Sequence, residues 1–203
     1  MHSPLQECRA VIYCIKIVYY LQPFAGLDMD ISKKYVRRET ESLDDLEIYL
    51  EGHVFHVTRL VNLVLILEDG EIRPSRDGMF KTTFGSSTNA FFRNRNCISL
   101  FDYRPALPQE IRIFRYRCYP FQPASPGNGI AILILQPEAY DFLIPWTQWK
   151  DEKAWGEMVV PHVEAGYPGS LPLRLIAEII SVEITEDPDS LVAQFRKIRE
   201  IVG

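Results

Sequence analysis

The sequence predicts an α+β fold, with two small, packed, mainly antiparallel sheets and flanking helices. Three observations support this class. Short apolar stretches such as 97–101 and 130–135 have the length and composition of strands. Helical periodicity is confined to short segments, chiefly 43–50 and 60–67. The strands do not alternate with long helices, as a doubly wound parallel sheet would require.

The composition indicates one globular domain with an extension. The chain has 203 residues, 47% of them hydrophobic, and a net charge of −5, which argues against nucleic-acid binding over the whole surface. The charge is unevenly distributed. Residues 81–120 hold seven basic and two acidic residues, a net of +5, whereas residues 138–203 hold six basic and twelve acidic residues, a net of −6. A local basic face is therefore compatible with an acidic protein.

The cysteines and the apolar segments predict a cytoplasmic protein that makes no contact with a membrane. The four cysteines form neither a CxxC pair nor a disulfide framework, which favours a reducing compartment. The apolar run 11–21 contains Lys16 and is too short to cross a bilayer. It also lacks the cleavage site of a secretory signal.

Two parts are predicted: an N-terminal extension of uncertain structure, residues 1–45, and a domain at 46–203. Leu43, Leu46 and Leu50 fall at helical spacing and predict a short surface helix before the domain's first strand.

The stretch from His53 to Gly78 carries the strongest functional signal. Its first part is a strand, HVFHVT, in which His56 and Thr58 share one face. Thr58 is a candidate N-cap for a helix that is apolar nearly all round, which predicts a buried helix. Gly70 is positioned to end that helix, and a polar loop containing Arg73 and Arg76 follows.

The rest of the chain predicts mostly strands and turns. The expected elements, in chain order, are an irregular loop at 79–96, a buried strand at 97–101, a half-exposed strand at 111–119 with a basic open face, a central strand at 130–135, a short helix or loop at 137–149, a strand at 156–164, a turn at 165–170, a helical turn opened by Pro172, a last strand, and an amphipathic helix at 188–202.

Three segments together resemble the ADP-ribosyltransferase fold. The first is His56-Val57-Thr58 running into the helix that ends at Gly70-Glu71-Ile72. The second is the strand 97–103, and the third is the late segment 157–161 with Leu171-Pro172-Leu173 and Ile176. The likeness covers roughly residues 46–184. It is closest to bacterial toxins that modify DNA bases and to related domains, and more distant from tRNA 2′-phosphotransferases.

The resemblance implies NAD as a substrate. It also implies transfer of ADP-ribose to a macromolecular acceptor, either nucleic acid or protein, and an antitoxin or other protein as a candidate partner. His56 and Thr58 would hold the adenosine ribose, and Glu157 would contact the nicotinamide ribose. An arginine, Arg73 or Arg76, would clamp the pyrophosphate. A fixed carboxylate suits this chemistry because cleavage of the nicotinamide–ribose bond develops positive charge on the sugar.

Several alternatives stay open at this stage. Glu157 and Glu164 are both candidates for the glutamate that contacts the nicotinamide ribose. Glu157 is preferred, because Glu164 precedes a turn, where solvent exposure explains a charged residue. The family's middle strand carries Ser-Thr-Ser, and here only Ser99 or Tyr103 fits that position.

Arginines alternate with aromatic residues in this part of the chain, which suggests that Arg93, Arg95 and Arg115 hold a nucleic-acid strand. The alternative is that these arginines form an ordinary solvent-exposed strand face. His53, His56, His162 and Glu164 are candidate metal ligands. No metal site is expected from them, because His53 and His56 are three apart on a strand and face opposite sides. The alternative functions are a non-catalytic interaction protein on the same fold and an RNA 2′-phosphotransferase.

Overall fold

The structure is a computed structural model that describes residues 14–20, 35–40 and 185 as backbone, and residues 43–74, 83–84, 91–104, 113–125, 127–149 and 159–184 with side chains. Its strands are β1 (Cys14–Tyr20), β2 (Tyr35–Thr40), β3 (Val54–Arg59), β4 (Glu71–Ile72), β5 (Cys97–Asp102), β6 (Ile130–Leu135), β7 (Ile144–Pro145), β8 (Glu164–Pro168), β9 (Leu171–Pro172) and β10 (Ile176–Thr185). Its α-helices are α1 (Leu43–Leu50), α2 (Leu60–Asp69), α3 (Phe91–Asn94) and α4 (Ile113–Arg117). Three short 3₁₀ helices span Pro137–Phe142, Trp146–Trp149 and Leu173–Leu175.

Within these described residues, one antiparallel sheet of eight strands forms the centre of the molecule, in the order β2-β1-β10-β6-β3-β5-β8-β7. A second sheet contains only β4 and β9. The α+β class and the antiparallel pairing are therefore confirmed. The strands sort into one large and one small sheet, rather than the two small packed sheets expected. Strands β1 and β2, from the predicted extension, join the large sheet through β10.

The central strand β6 shows how the sheet is covered on both faces. All six of its residues are buried. Ile130, Ile132 and Ile134 belong to the core that includes Leu46 and Leu50 of α1. Ala131, Leu133 and Leu135 belong to the core that includes Leu63 and Ile66 of α2. Because successive side chains of a strand point to opposite faces, α1 and α2 lie on opposite sides of the sheet. We call these the α1 face and the α2 face.

Helix α2 ends as predicted but is not the buried helix expected. Gly70 ends it with a φ of 70°, a left-handed conformation that favours glycine. Leu63 and Ile66 face the sheet, whereas Val61 and Val64 are 59% and 58% exposed. Thr58 is not the N-cap either. The strand runs on to Arg59, which occupies the cap position without a capping side chain.

The predicted strand at 111–119 is wrong, since residues 113–117 form helix α4. The alternation of apolar and basic residues suggested that the arginines face outward. Instead, Arg115 is buried and Tyr116 is 76% exposed. Arg115 points inward because Glu51, on the opposing chain segment, supplies a carboxylate oxygen 2.9 Å from its Nη1. A tertiary ion pair thus overrides the local pattern.

Two boundaries in the last third also differ from expectation. The sequence predicted a strand at 156–164 and a turn at 165–170. In the structure the strand β8 covers Glu164–Pro168 and a turn precedes it, so both predictions are wrong. The turn that follows is at Gly169, with a φ of 72°. The helical turn after Pro172 and the last strand are confirmed. The predicted helix at 188–202 lies outside the described residues. Every described helix is too short or too polar to span a bilayer.

Candidate functional site

The site begins where strands β3 and β5 separate. Their ladder has two residue pairs, Val54 with Asp102 and Phe55 with Phe101. Beyond Phe55, β3 continues along β6 to Arg59. The ring of His56 reaches across the resulting gap, and its Nδ1 lies 2.9 Å from the carbonyl oxygen of Ser99. The gap therefore holds a polar side chain where a regular ladder would hold backbone hydrogen bonds.

The protonation of His56 follows from this contact. A carbonyl oxygen only accepts hydrogen bonds, so Nδ1 must donate and carries the proton. Burial lowers the pKa of His56 below its ordinary value, and the hydrogen bond to Ser99 offsets this only in part. At neutral pH the ring is therefore uncharged, and the lone pair of Nε2 is able to accept a hydrogen bond from a hydroxyl group.

Glu164 lies on the other side of Ser99. It opens β8, and the β5–β8 register places it opposite Phe101. Its Oε1 accepts a hydrogen bond from Ser99 Oγ at 3.3 Å, and its Oε2 accepts one from the backbone amide of Val160 at 2.7 Å. The thiol of Cys118 also donates to this carboxylate. Three donors from three separate parts of the chain thus hold one carboxyl group.

The burial of this carboxyl group changes its acidity. Burial raises the pKa of Glu164 to about 7, although the hydrogen bonds from Val160, Ser99 and Cys118 act in the opposite direction. A carboxyl group with this pKa exists in both protonation states near neutral pH, which is the condition for an efficient general acid or base. The neighbouring Cys118 has a raised pKa, first through burial and then through the Glu164 charge, so its thiol stays protonated.

His56 and Glu164 are joined through Ser99 rather than placed side by side. Glu164 is paired with Phe101, a residue of the α1-face core, whereas His56 alternates with Phe55 and Val57 of that core. The two side chains therefore start from opposite faces of the sheet. Ser99 connects them, because its carbonyl oxygen binds His56 and its hydroxyl group binds Glu164.

An aromatic wall adjoins the turn that precedes Glu164. His162 adopts a φ of 63°, which is uncommon for a residue other than glycine. Its ring centroid lies 4.4 Å from that of Trp146 and 5.5 Å from that of Phe114. Such contacts hold the turn in a strained backbone conformation, and strain of this kind is concentrated at functional sites.

No family model, curated protein or solved structure matches the chain.

The structure brings Ser99 into this site and places Tyr103, its competitor, in the core. Tyr103 is 1% exposed and lies edge-on to the ring of Phe55, with a centroid distance of 5.0 Å. Its hydroxyl group is buried without a hydrogen-bond partner, and burial strongly raises its pKa. Thr58 is also buried, and its Oγ1 accepts a hydrogen bond from Asn62 Nδ2 at 3.0 Å.

The predicted arginines do not form one group. Arg73 is exposed, directly follows β4, and pairs with Glu71 at 2.8 Å and Asp69 at 3.5 Å. Arg95 is exposed and stacks over the Phe91 ring, at 3.8 Å from the guanidinium carbon to the centroid. Arg93 is half-buried on the neighbouring helix α3.

Arg115 is the most buried of the predicted arginines that lie in the described part of the chain. It pairs with Glu51 and Glu47, and its guanidinium carbon lies 4.1 Å from the centroid of Tyr103. That position makes it a structural residue rather than one presented to a ligand. Arg76 and Glu157 lie outside the described residues.

Sequence reasoning missed two residues of this site. Cys118 carried no signal, because a lone cysteine is most often an ordinary core residue. His162 was considered only as a metal ligand. No group of three metal-ligating side chains occurs among the residues that the structure describes.

Proposed function

We propose that the chain is an ADP-ribosyltransferase-like enzyme that uses NAD and modifies a macromolecule, with Glu164 as its catalytic carboxylate. The observation that carries the proposal is the part-buried Ser99–Glu164 pair, with a carboxyl pKa of about 7 and a connection through Ser99 to His56. Glu164 replaces Glu157 in this role because β8 pairs directly with the strand that carries Ser99.

The proposed reaction transfers ADP-ribose from NAD to an acceptor nucleophile. The bond between the ribose C1′ and the nicotinamide nitrogen breaks, and nicotinamide leaves as a neutral molecule with the bonding electrons. The sugar becomes positively charged, and the ionised Glu164 stabilises that charge more than it stabilises the ground state. The acceptor then bonds to C1′ and loses its proton to Glu164 or to solvent.

The other residues orient the substrate. His56 Nε2 accepts a hydrogen bond from a ribose hydroxyl group, since Nδ1 already donates to Ser99. The Ser99 hydroxyl group fixes the rotamer of Glu164, so the carboxylate does not reorganise during bond cleavage. The backbone amide of Val160 supplies a second fixed donor.

The test is release of nicotinamide from NAD by the wild-type chain and by two matched variants, Glu164→Gln and Glu157→Gln. Loss of a carboxylate that acts in the transition state is expected to lower the rate about 10²–10³-fold. We expect this loss for Glu164→Gln and a change within a few-fold for Glu157→Gln. The reverse result would assign the role to Glu157. Equal rates for all three proteins, or no release by any, would refute the proposal.

A second candidate function is a non-catalytic interaction protein on the same fold. It is favoured by the opposite starting faces of His56 and Glu164 and by the burial of Tyr103 in the core. A thermal-shift titration with NAD separates the two candidates. NAD at one hundred times its dissociation constant stabilises a folded protein by about 2.7 kcal/mol. A rise in Tm that His56→Ala abolishes supports the enzyme, and no rise at millimolar NAD supports the interaction protein.

A further inference from the structure

The side of helix α2 that points away from the sheet is apolar. Val61, Val64 and Leu65 are 59%, 58% and 40% exposed, and their positions i, i+3 and i+4 form one stripe along the helix. Glu68 follows Val61 at i+7, so this exposed carboxylate ends the same stripe. We call the surface formed by these four residues the outer face of α2. An exposed apolar surface on a helix that is already packed on its other side indicates an interaction surface.

The charges along α2 are the reverse of those that stabilise an isolated helix. A helix carries partial positive charge at its start and partial negative charge at its end, so carboxylates are favourable only at the start. The first turn of α2 has no acidic residue, whereas the last turn carries Glu68 and Asp69 and no basic residue. Arg73 compensates Asp69 from 3.5 Å. The outer face therefore presents Glu68 at the end of the helix where its charge is least favourable.

The start of α2 offers the complementary charge. Its N-cap residue, Arg59, makes no capping hydrogen bond with its side chain. The backbone amide of Leu60 donates to the carbonyl oxygen of Gly129 at 3.0 Å. The amide of Val61, next along the chain, is one of the first-turn donors that a helix cannot satisfy internally. A carboxylate placed beside this end would accept a hydrogen bond and interact favourably with the helix dipole.

One arrangement of two copies satisfies both the apolar stripe and the charges. Leu60 and Glu68 are each four residues from Val64, which is about 6 Å along the helix axis. Two α2 helices that run antiparallel across a two-fold axis beside Val64 therefore bring Glu68 of each copy level with Leu60 of the other. The same axis sets the apolar stripe against itself, as a two-fold interface requires. A parallel arrangement would instead place the two Glu68 carboxylates side by side, where they repel.

We propose that two copies of this chain associate through the outer faces of their α2 helices, which run antiparallel around a two-fold axis beside Val64. Glu68 of each copy then lies at the uncapped start of the other copy's helix. Helix α2 has 10 residues and is about 15 Å long, so the buried area is small and the dimer dissociates at micromolar concentration. The proposal is independent of the enzymatic activity, since it uses no residue of the Ser99–Glu164 site.

Sedimentation equilibrium of the full-length protein from micromolar to millimolar concentration tests the association. We expect a monomer–dimer equilibrium that Val64→Asp weakens at least about tenfold, because it places two carboxylates together at the two-fold axis. Ile113→Asp is the matched control, since Ile113 is 59% exposed on α4, which packs against the α1-face core. It should leave the equilibrium unchanged. A monomer at every concentration, or equal weakening by both variants, would overturn the proposal.

Disulfide trapping tests the position of the axis. In Val64→Cys the two introduced thiols face each other, so mild oxidation should give a covalent dimer. In Val61→Cys they are displaced by about 9 Å along the axis, which exceeds the span of a disulfide. This variant should therefore form no more covalent dimer than the wild type, which reports any linkage through the native cysteines. No covalent dimer of Val64→Cys, or equal yields from the two variants, would contradict the antiparallel arrangement.

Charge reversal at Glu68 separates the contact between copies from the stability of the helix itself. A lysine in the last turn suits the dipole of its own helix, so Glu68→Lys should not lower the Tm of the dilute monomer. In the dimer the same lysine faces the positive start of the other helix, so association should weaken several-fold. Glu68→Gln should weaken association less than Glu68→Lys does. Unchanged association in Glu68→Lys, or a loss of association together with a lower monomer Tm, would refute the charge argument.

Discussion

The replacement Glu164→Gln is expected to change how the stability of the protein depends on pH. Folding raises the pKa of Glu164 from an ordinary value of 4.5 to about 7. Between these values the folded state binds more protons than the unfolded state, so the free energy of unfolding falls as pH rises. A glutamine does not titrate. It accepts a hydrogen bond from Val160 and donates one to Ser99, as a protonated carboxyl group would.

The magnitude follows from the two pKa values. One pKa unit corresponds to about 1.4 kcal/mol, so the full effect is about 3 kcal/mol, and about 2–3 kcal/mol of it falls between pH 5 and pH 8. Below pH 4.5 the wild type has the whole stabilising contribution of the protonated carboxyl group. Above pH 7 that contribution is gone. The glutamine variant has a constant offset instead, and all other titrating groups are common to both proteins.

Urea denaturation at pH 5 and pH 8 measures this difference. The free energy of unfolding of the wild type should fall relative to that of Glu164→Gln by about 2–3 kcal/mol between the two pH values. The comparison depends on the pH trend alone, so a different absolute stability of the variant does not affect it. Parallel pH profiles of the two proteins would show that Glu164 titrates near its ordinary value, and the argument for a poised carboxyl group would fail.

Three further predictions test other parts of the fold. The pKa of His56 is lowered by burial, so the folded state resists its protonation. Between pH 7.5 and pH 5, through the ordinary histidine pKa of about 6.5, the wild type should therefore lose stability in urea denaturation relative to His56→Gln. A drop of equal size in both proteins would disprove the burial argument. Gly166→Ala would place a β-carbon 2.7 Å from Trp149 Cη2 and should lower the free energy of unfolding by about 1–3 kcal/mol. Trp149→Phe in the same protein should restore part of this loss. Additive effects of the two substitutions in a double-mutant cycle would contradict the clash. Arg115→Met removes a buried cation and should lower the free energy of unfolding, measured in urea, by about 1–3 kcal/mol. Glu51→Gln changes a carboxylate that is half exposed and should lower it by less than about 1 kcal/mol. Equal losses would show that the burial of the arginine has no energetic consequence.

Local sequence signals were sufficient for several elements. The β-branched and aromatic residues of β3, the apolar run of β6 and the position of Gly70 each depend on a few neighbouring residues. The same holds for the α+β class, which follows from short strands and short helices. These features are present in the structure as predicted, because tertiary contacts do not oppose the local preferences.

The candidate site depends on contacts between residues far apart in the chain. The sequence favoured Glu157, but the β5–β8 register brings Glu164 to Ser99, 65 residues away. Strand register is set by the pairing of whole strands, and a turn misplaced by a few residues changes which carboxylate faces the site. The pKa of Glu164 is likewise a property of its burial, which no local pattern reports.

Arg115 and α2 show the same distinction between pattern and packing. Alternation placed Arg115 on an open face, and composition placed α2 in the core. The side chain of Arg115 is buried because Glu51 and the Tyr103 ring compensate its charge, while α2 lies on one face of a sheet that covers only one side of the helix. The sequence by itself determined the elements with strong local signals, among them β3, β6 and the end of α2 at Gly70. Only the tertiary structure decided which of their side chains are buried and which meet at Ser99, because burial and long-range pairing depend on how the elements pack.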